Sequence, residues 1–199
     1  MSSKIEICNL ALSHFGQDSI DTVDEASTSA RRCKLLYDVC RRQALESHVW
    51  AFALKTAQLP LSLETAYGWG YVYVLPSDNL RFVRVLNDGA HVDDKVDLLA
   101  TKHQAFEIAG GLLRSNIESV QIEYVQDLTD TTKFTAAFVT AVSYLLASHL
   151  AMSLTGNQAV SEKLLNLYVN FLAKAKDIDA ASTTRVESKI GHEILEAGY

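Results

Sequence analysis

Trp69-Gly-Tyr-Val-Tyr-Val-Leu-Pro76 is the stretch on which the fold turns. It is dense in aromatic and β-branched side chains, which suit a pleated, half-buried surface, and it ends at a proline, as a strand does. Upstream the apolar residues recur every three or four positions; from here they alternate. A second strand is expected over Leu80 to Leu86. Asn87-Asp88-Gly89 follows it, and Asp-Gly signals a hairpin because both central residues of the tight turn take positive φ. Ala105 to Ala109, Gly110-Gly111 and Leu112 to Arg114 read as another hairpin. Ser119 to Gln126 alternates, with Val120, Ile122 and Tyr124 on one side and Gln121 and Glu123 on the other. Residues 67–127 therefore read as a small, mainly antiparallel β module.

Helical periodicity flanks this module on both sides. Upstream, Ser3 and Glu6 form a capping box, Ile5, Cys8, Leu12 and Phe15 recur at helical spacing, and Gly16 stops the helix. A polar, acidic connection from Gln17 to Glu25 leads to a second helix, Ser27 to Ser47. Its apolar stripe (Ala30, Cys33, Tyr37, Cys40, Ala44) is narrow, and Arg31, Arg32, Lys34, Arg41 and Arg42 fill much of the rest. Downstream, Asp130 or Thr131 caps a segment from Phe134 to Thr155 that closes at Gly156-Asn157. A last helix, Ser161 to Ala180, carries Val160, Leu164, Leu167, Phe171, Ala175 and Ile178 on one stripe. The expected fold is mainly α with α+β character: an antiparallel four-helix bundle with a β module inserted between helices 2 and 3. Residues 1–66 and 128–181 make the bundle, 67–127 the module, and 182–199 a polar C-terminal arm ordered only by a partner.

Composition narrows the function. At 199 residues with 48% hydrophobic and 21% charged residues, the chain is ordinary globular material. Its net charge of −6 counts against a dedicated nucleic-acid binder, whose grip rests on Lys and Arg neutralising phosphates, but allows duplex DNA to slide past. The opening Met1-Ser-Ser-Lys-Ile-Glu has no apolar run, so no secretory signal is expected. The three cysteines suit a reducing compartment. Cys33 and Cys40 stand seven apart on one helix, roughly 10 Å between Cα atoms, too far for a disulfide. Cys8 sits on another helix, and all three read as small core residues.

No chemical motif rises above its bland alternative. Asp93-Asp94 with Asp97 looks like DDxxD but lacks a second acidic cluster, so a solvated loop face is expected. His14, His48, His91, His103, His149 and His192 show no ligand spacing, and neither metal nor cofactor is expected. There is no GxSxG, and Gly110-Gly111 lacks the rest of a phosphate loop. Ala136 to Leu154 carries no Asp, Glu, Lys or Arg and approaches the length of a membrane span, yet Thr140, Ser143, Ser148, His149 and Ser153 favour a helix buried on nearly all sides. Two aromatic groups, Trp50 with Phe52 and Trp69 with Tyr71 and Tyr73, lie at the boundary between helices and module. They are expected to form a mini-core that welds the two together.

Three runs carry a resemblance. Ile7-Cys8-Asn9-Leu10-Ala11-Leu12-Ser13-His14-Phe15-Gly16 resembles the xxNxALxxLG opening of the tail tubular protein A family, the head-to-tail adaptor or gatekeeper of short-tailed bacteriophages. Ala30, Cys33, Tyr37-Asp38, Arg41/Arg42, Leu45 and Trp50-Ala51-Phe52-Ala53 are similar to the family's next run, although Val49 stands where a proline is expected. Gly68-Trp69, Tyr71, Tyr73, Leu75-Pro76, Asp78 and Leu80-Arg81 resemble the third, and the closing helices with Leu154-Thr155-Gly156 between them also fit. The resemblance spans about 180 residues, of which the first 80 are specific. It implies a virion structural protein, assembled in the host bacterial cytoplasm, that forms a ring of twelve copies between the portal protein and the tail nozzle protein. Such a ring continues the DNA channel without sequence-specific binding and helps retain or release the genome. On this reading the chain is no enzyme, and Arg31, Arg32, Arg41 and Arg42 face neighbouring subunits or the portal. The alternative is a cell-surface glycan hydrolase associated with a phage tail, which needs two carboxylates about 5–9 Å apart. Glu107, Glu118 and Glu123 are its candidates. A third class is a helical interaction protein of the host.

Overall fold

A computed structural model of the chain describes residues 3–87, 90–92 and 106–182. It contains four α-helices and two small antiparallel sheets, a mixed α+β protein. Helix α1 spans Lys4–Ser13, α2 Thr28–Glu46, α3 Ala136–Thr155 and α4 Gln158–Ser182. The strands all fall between α2 and α3: β1 Leu54–Gln58, β2 Tyr71–Val74, β3 Asn79–Asn87, β4 Ala90–Val92, β5 Phe106–Ala109, β6 Leu112–Ser115 and β7 Gln121–Gln126.

The helix ends follow from local chemistry. At α1 the Glu6 amide donates to Ser3 Oγ at 3.1 Å and the Ser3 amide donates to Glu6 Oε2 at 2.8 Å, satisfying two orphan donors reciprocally. Ser27 and Thr135 cap α2 and α3 through the amides of Ala30 and Phe138. Gly156, at φ 64°, turns the chain out of α3 where a Cβ would be strained. α2 ends at Glu46 without the missing proline. The carbonyl of Ala44 instead accepts from Ser47 Oγ at 2.7 Å and from the Trp50 indole at 3.0 Å.

Helix α3 is the one the others touch: it packs against α1, α2 and, most extensively, α4. It is the one described helix long and apolar enough to span a bilayer, but 61% of that window is buried against its neighbours. All-round apolar composition here reflects all-round packing. On α2 the expected stripe is buried, joined by Arg41 and Leu45. The expected stripe on α4 faces the core from Val160 to Ala175, joined by the buried Tyr168, and departs only at its end, where Asp179 is buried and Ile178 is 56% exposed. A buried carboxylate reads as a surface position in sequence, so the last turn is where pattern and packing part.

The larger sheet has the order β1-β7-β3-β4 and the smaller β2-β6-β5. Strand β1 was missed by pattern, and it places the start of the β structure before residue 67. Its Lys-Thr-Ala-Gln composition is that of an edge strand, with Lys55, Thr56 and Gln58 exposed. Asn87 pairs with Ala90, which fits the expected two-residue hairpin, although Asp88 and Gly89 themselves lie outside the described residues. Asp93, Asp94, Asp97, His103, His192 and the arm after Ser182 also lie outside them.

Two cores result. One joins all four helices to Trp50, Ala53, Val125 and Leu128; the other gathers Leu59, Tyr73, Val85, Leu113, Val120, Ile122 and Tyr124 from both sheets. The turn between β5 and β6 needs its glycines, since Gly110 (φ 61°) and Gly111 (φ 79°) both occupy the left-handed region that side chains resist. Nothing approaches either Cβ position, so the cost of substitution is purely conformational. Gly110→Ala and Gly111→Ala are each expected to cost about 1–2 kcal/mol, read as a lowered urea midpoint at unchanged slope.

Candidate functional site

The seam between helices and sheets is where the sequence motifs converge. Arg41 lies four residues after Tyr37 and four before Leu45, so helical periodicity carries it into the buried face of α2. Its side chain is 1% exposed. Nη1 donates to the Leu128 carbonyl at 2.7 Å and pairs with Asp127, and Nε reaches Asp38 at 3.4 Å. Arg42, on the rim, holds the other oxygen of Asp127 at 2.9 Å. Asp38 in turn accepts Lys4 of α1 at 3.1 Å, and Lys4 also lies over the Tyr37 ring. Burial, the largest single influence on Asp38, pushes its pKa up, but Lys4 and Arg41 together outweigh it and hold the carboxyl below its ordinary value.

The chain of contacts continues into the larger sheet. The amide of Asp127 donates to the Asp78 carbonyl at 2.7 Å, and the Asp78 carboxylate accepts Lys55 at 2.7 Å and the Tyr124 hydroxyl at 2.9 Å. Arg81 donates to the carbonyl of Glu46, in the last turn of α2, at 3.1 Å. In α1, Asn9 clamps the backbone of Ile20 through both its amide nitrogen (2.9 Å) and its oxygen (2.8 Å). Asn9, Asp38, Arg41, Asp78 and Arg81 are all residues of the three motif runs, and each fastens one element to another.

The arginine set therefore divides. Arg41 is not an outward contact but a buried strut, which corrects its expected placement. Arg31 and Arg32 are exposed, and they form a shallow recess with Thr28 and Leu35. Leu35 and Val39, 62% and 59% exposed, continue this face along α2 towards Arg42. The result is a mixed basic and apolar surface.

The aromatic groups divide as well. Trp50 and Phe52 pack with Phe134 and Phe138 in the helical core, edge-to-face or tilted, at ring distances of 5.0–5.9 Å. Tyr73 belongs to the sheet core, where its hydroxyl donates to the Ile117 carbonyl at 2.6 Å, and Tyr71 packs against that core. Trp69 is half-buried in the loop before β2. No ring contact among the described residues joins the two groups. The weld between helices and sheets is made instead by ion pairs and backbone bonds, together with Val125, Leu80 and Val83 of the larger sheet packed into the helical core. Charged residues scattered over Asp38, Arg41, Asp78, Arg81 and Asp127 give no periodic signal, which is why sequence pattern did not find it.

Sequence reasoning also missed two histidine sites. His48 Nε2 lies 3.4 Å from Asp179, which accepts from the Ala51 amide, and both line a cleft of about 480 Å³ between the end of α4 and the larger sheet. Burial, with Lys176 and Arg81 nearby, lowers the His48 pKa against the pull of Asp179. His14 bonds Ser143 at 3.0 Å and stacks on Tyr144, which stacks on Phe171; burial lowers the His14 pKa. The thiols of Cys8, Cys33 and Cys40 are buried and unpaired, and burial pushes Cys40 up to about 12. Among the described residues no three of His, Cys, Asp and Glu converge on a point that could hold a metal. The three glutamates are not assembled either. Glu107 on β5 pairs with Arg114, Glu123 on β7 in the other sheet pairs with Arg84, and Glu118 is an exposed loop residue.

Fold and site thus define a mixed α+β protein whose helices and sheets are fastened by one extended polar network. Compared with known families and curated proteins, the chain matches no family model and no curated relative.

Proposed function

We propose that this chain is the ring-forming subunit of a head-to-tail adaptor of a short-tailed bacteriophage, of the tail tubular protein A kind. In this reading the four helices act as an antiparallel bundle, a stiff wall element, and the β module inserted between helices 2 and 3 makes lateral or axial contacts. Copies of the chain, twelve by the resemblance, sit between portal and tail nozzle in the virion and continue the DNA channel. The observation that carries this reading is the seam: the residues that resemble the family are those that lock helices to sheets, so the resemblance lies in the parts that set the architecture. The net charge of −6 supports it further, because an acidic lining repels the duplex and lets it pass.

The basic and apolar face of α2 is the subunit or portal contact in this account. Arg31→Glu with Arg32→Glu is expected to abolish ring formation, alone or with the cognate portal, in negative-stain electron microscopy. Circular dichroism of the monomer is expected to be unchanged, since neither side chain is buried. Unaltered rings from the double variant refute the role given to this face. Wild-type protein that makes no ring, with or without a portal, refutes the adaptor itself.

A further inference from the structure

Helices α1 and α2 meet through a short ladder of contacts, and one rung of it is a pair of thiols. Lys4 of α1 bonds Asp38 of α2 at 3.1 Å and lies 4.7 Å over the Tyr37 ring. One helical turn on from Lys4 is Cys8, and one turn back from Tyr37 is Cys33. The Cys8 thiol is hydrogen-bonded to the Cys33 sulfur, so the two helices run antiparallel here and the two contacts are successive rungs. Both side chains are fully buried in the helical core. Cys40 lies two turns further along α2, where burial alone pushes its thiol up to about 12.

Two thiols in contact give up a first proton more readily than a second. The hydrogen bond from Cys8 holds the Cys33 pKa below its ordinary value, while the same bond, with burial, pushes Cys8 up. Cys33 is therefore the nucleophile of the pair and Cys8 the resolving thiol. Towards a peroxide, the Cys33 thiolate attacks one oxygen and breaks the O–O bond, leaving a sulfenic acid and, once the departing hydroxide takes up the Cys33 proton, water. Cys8 then displaces a second water from that sulfur as the S–S bond forms. Two thiols and one peroxide thus give one disulfide and two waters. Both sulfurs are closed to solvent, so the step waits on local opening of α1, a helix of ten residues.

We infer that Cys8 and Cys33 form a redox-sensitive pair whose disulfide, made by a peroxide, staples α1 to α2. The closed loop takes in the connection that Asn9 already clamps at Ile20. It also fixes α2 directly behind Arg31 and Arg32, the exposed residues beside Cys33. The chemistry of the pair is independent of the adaptor reading; only its timing rests on that reading. A particle built in a reducing cytoplasm and released from the cell carries open thiols during assembly and a closed staple afterwards.

Hydrogen peroxide added to the full native chain is expected to cut the thiols that react after denaturation from three to one, and dithiothreitol to restore them. Peptide mapping is expected to find Cys8 joined to Cys33 within one chain, and the thermal midpoint to rise by about 5 °C or more. Cys8→Ala and Cys33→Ala are expected to lose both the link and the rise, and Cys40→Ala to keep them. Refolding from urea in a glutathione redox buffer makes the same link without any need for access, since every thiol is then exposed. Three free thiols after both treatments overturn the pair, as does a link through Cys40 or a lowered midpoint in the oxidised chain, and all three results leave the adaptor reading standing. A chain that closes the pair yet makes no ring, with or without a portal, overturns the adaptor reading and the timing alone.

Discussion

Arg41→Ala is expected to lower the free energy of unfolding by about 3 kcal/mol, the low end for breaking a buried ion pair. The variant strands the Leu128 carbonyl and leaves Asp127 with Arg42 alone, at a seam where the wild-type guanidinium is 1% exposed. Double-mutant analysis separates the charge from the packing. Arg41→Met with Asp127→Asn is expected to be less destabilised than Arg41→Met alone, because it also removes a carboxylate left with only the half-exposed Arg42. Chemical denaturation monitored by tryptophan fluorescence measures both, and a loss below about 1 kcal/mol for Arg41→Ala shows that the strut is a surface charge after all.

Trp50→Ala is expected to cost more, about 3–5 kcal/mol. The indole is fully buried against Phe52 and Phe138, and its N–H is one of the donors that close α2 on the Ala44 carbonyl. Alanine therefore leaves a large cavity and a weakened helix end together. Trp50→Phe keeps most of the volume and loses the donor, so about 1–2 kcal/mol is expected for it. Thermal melts of the two variants against wild type check the ordering. Equal losses for both place all of the energy in the hydrogen bond and none in packing.

Periodicity made the helices and most strands legible, because Cys8, Leu12, Cys33, Tyr37 and Ile122 repeat at 3.6 or 2 residues and are buried as that repeat requires. It failed where burial was won by pairing rather than by apolarity. Arg41 and Asp179 are both inside, each held by partners from distant segments; the spacing of Arg41 from Tyr37 and Leu45 places it on the buried face, but a charge there reads as solvated until its partners are known. Strand β1 failed for the opposite reason. Lys55, Thr56 and Gln58 are exposed on a sheet edge, so the segment never alternates, and only its pairing with β7 makes it a strand. The candidate site was legible as a set of motif residues but not as a structure. Sequence position groups the rings at Trp50 and Tyr73, whereas the sheet core and the helical core each keep their own.

Strand β7 has a consequence for how this protein comes apart. Ile122 and Tyr124 face one core, Val125 the other, so a single backbone segment is the party wall of both. Neither compartment can lose its lining without stripping the other, and Asp127, one residue beyond the strand, bolts the wall to α2. The two halves are thereby obliged to melt as one, and a pull on either is shared at once by the whole molecule.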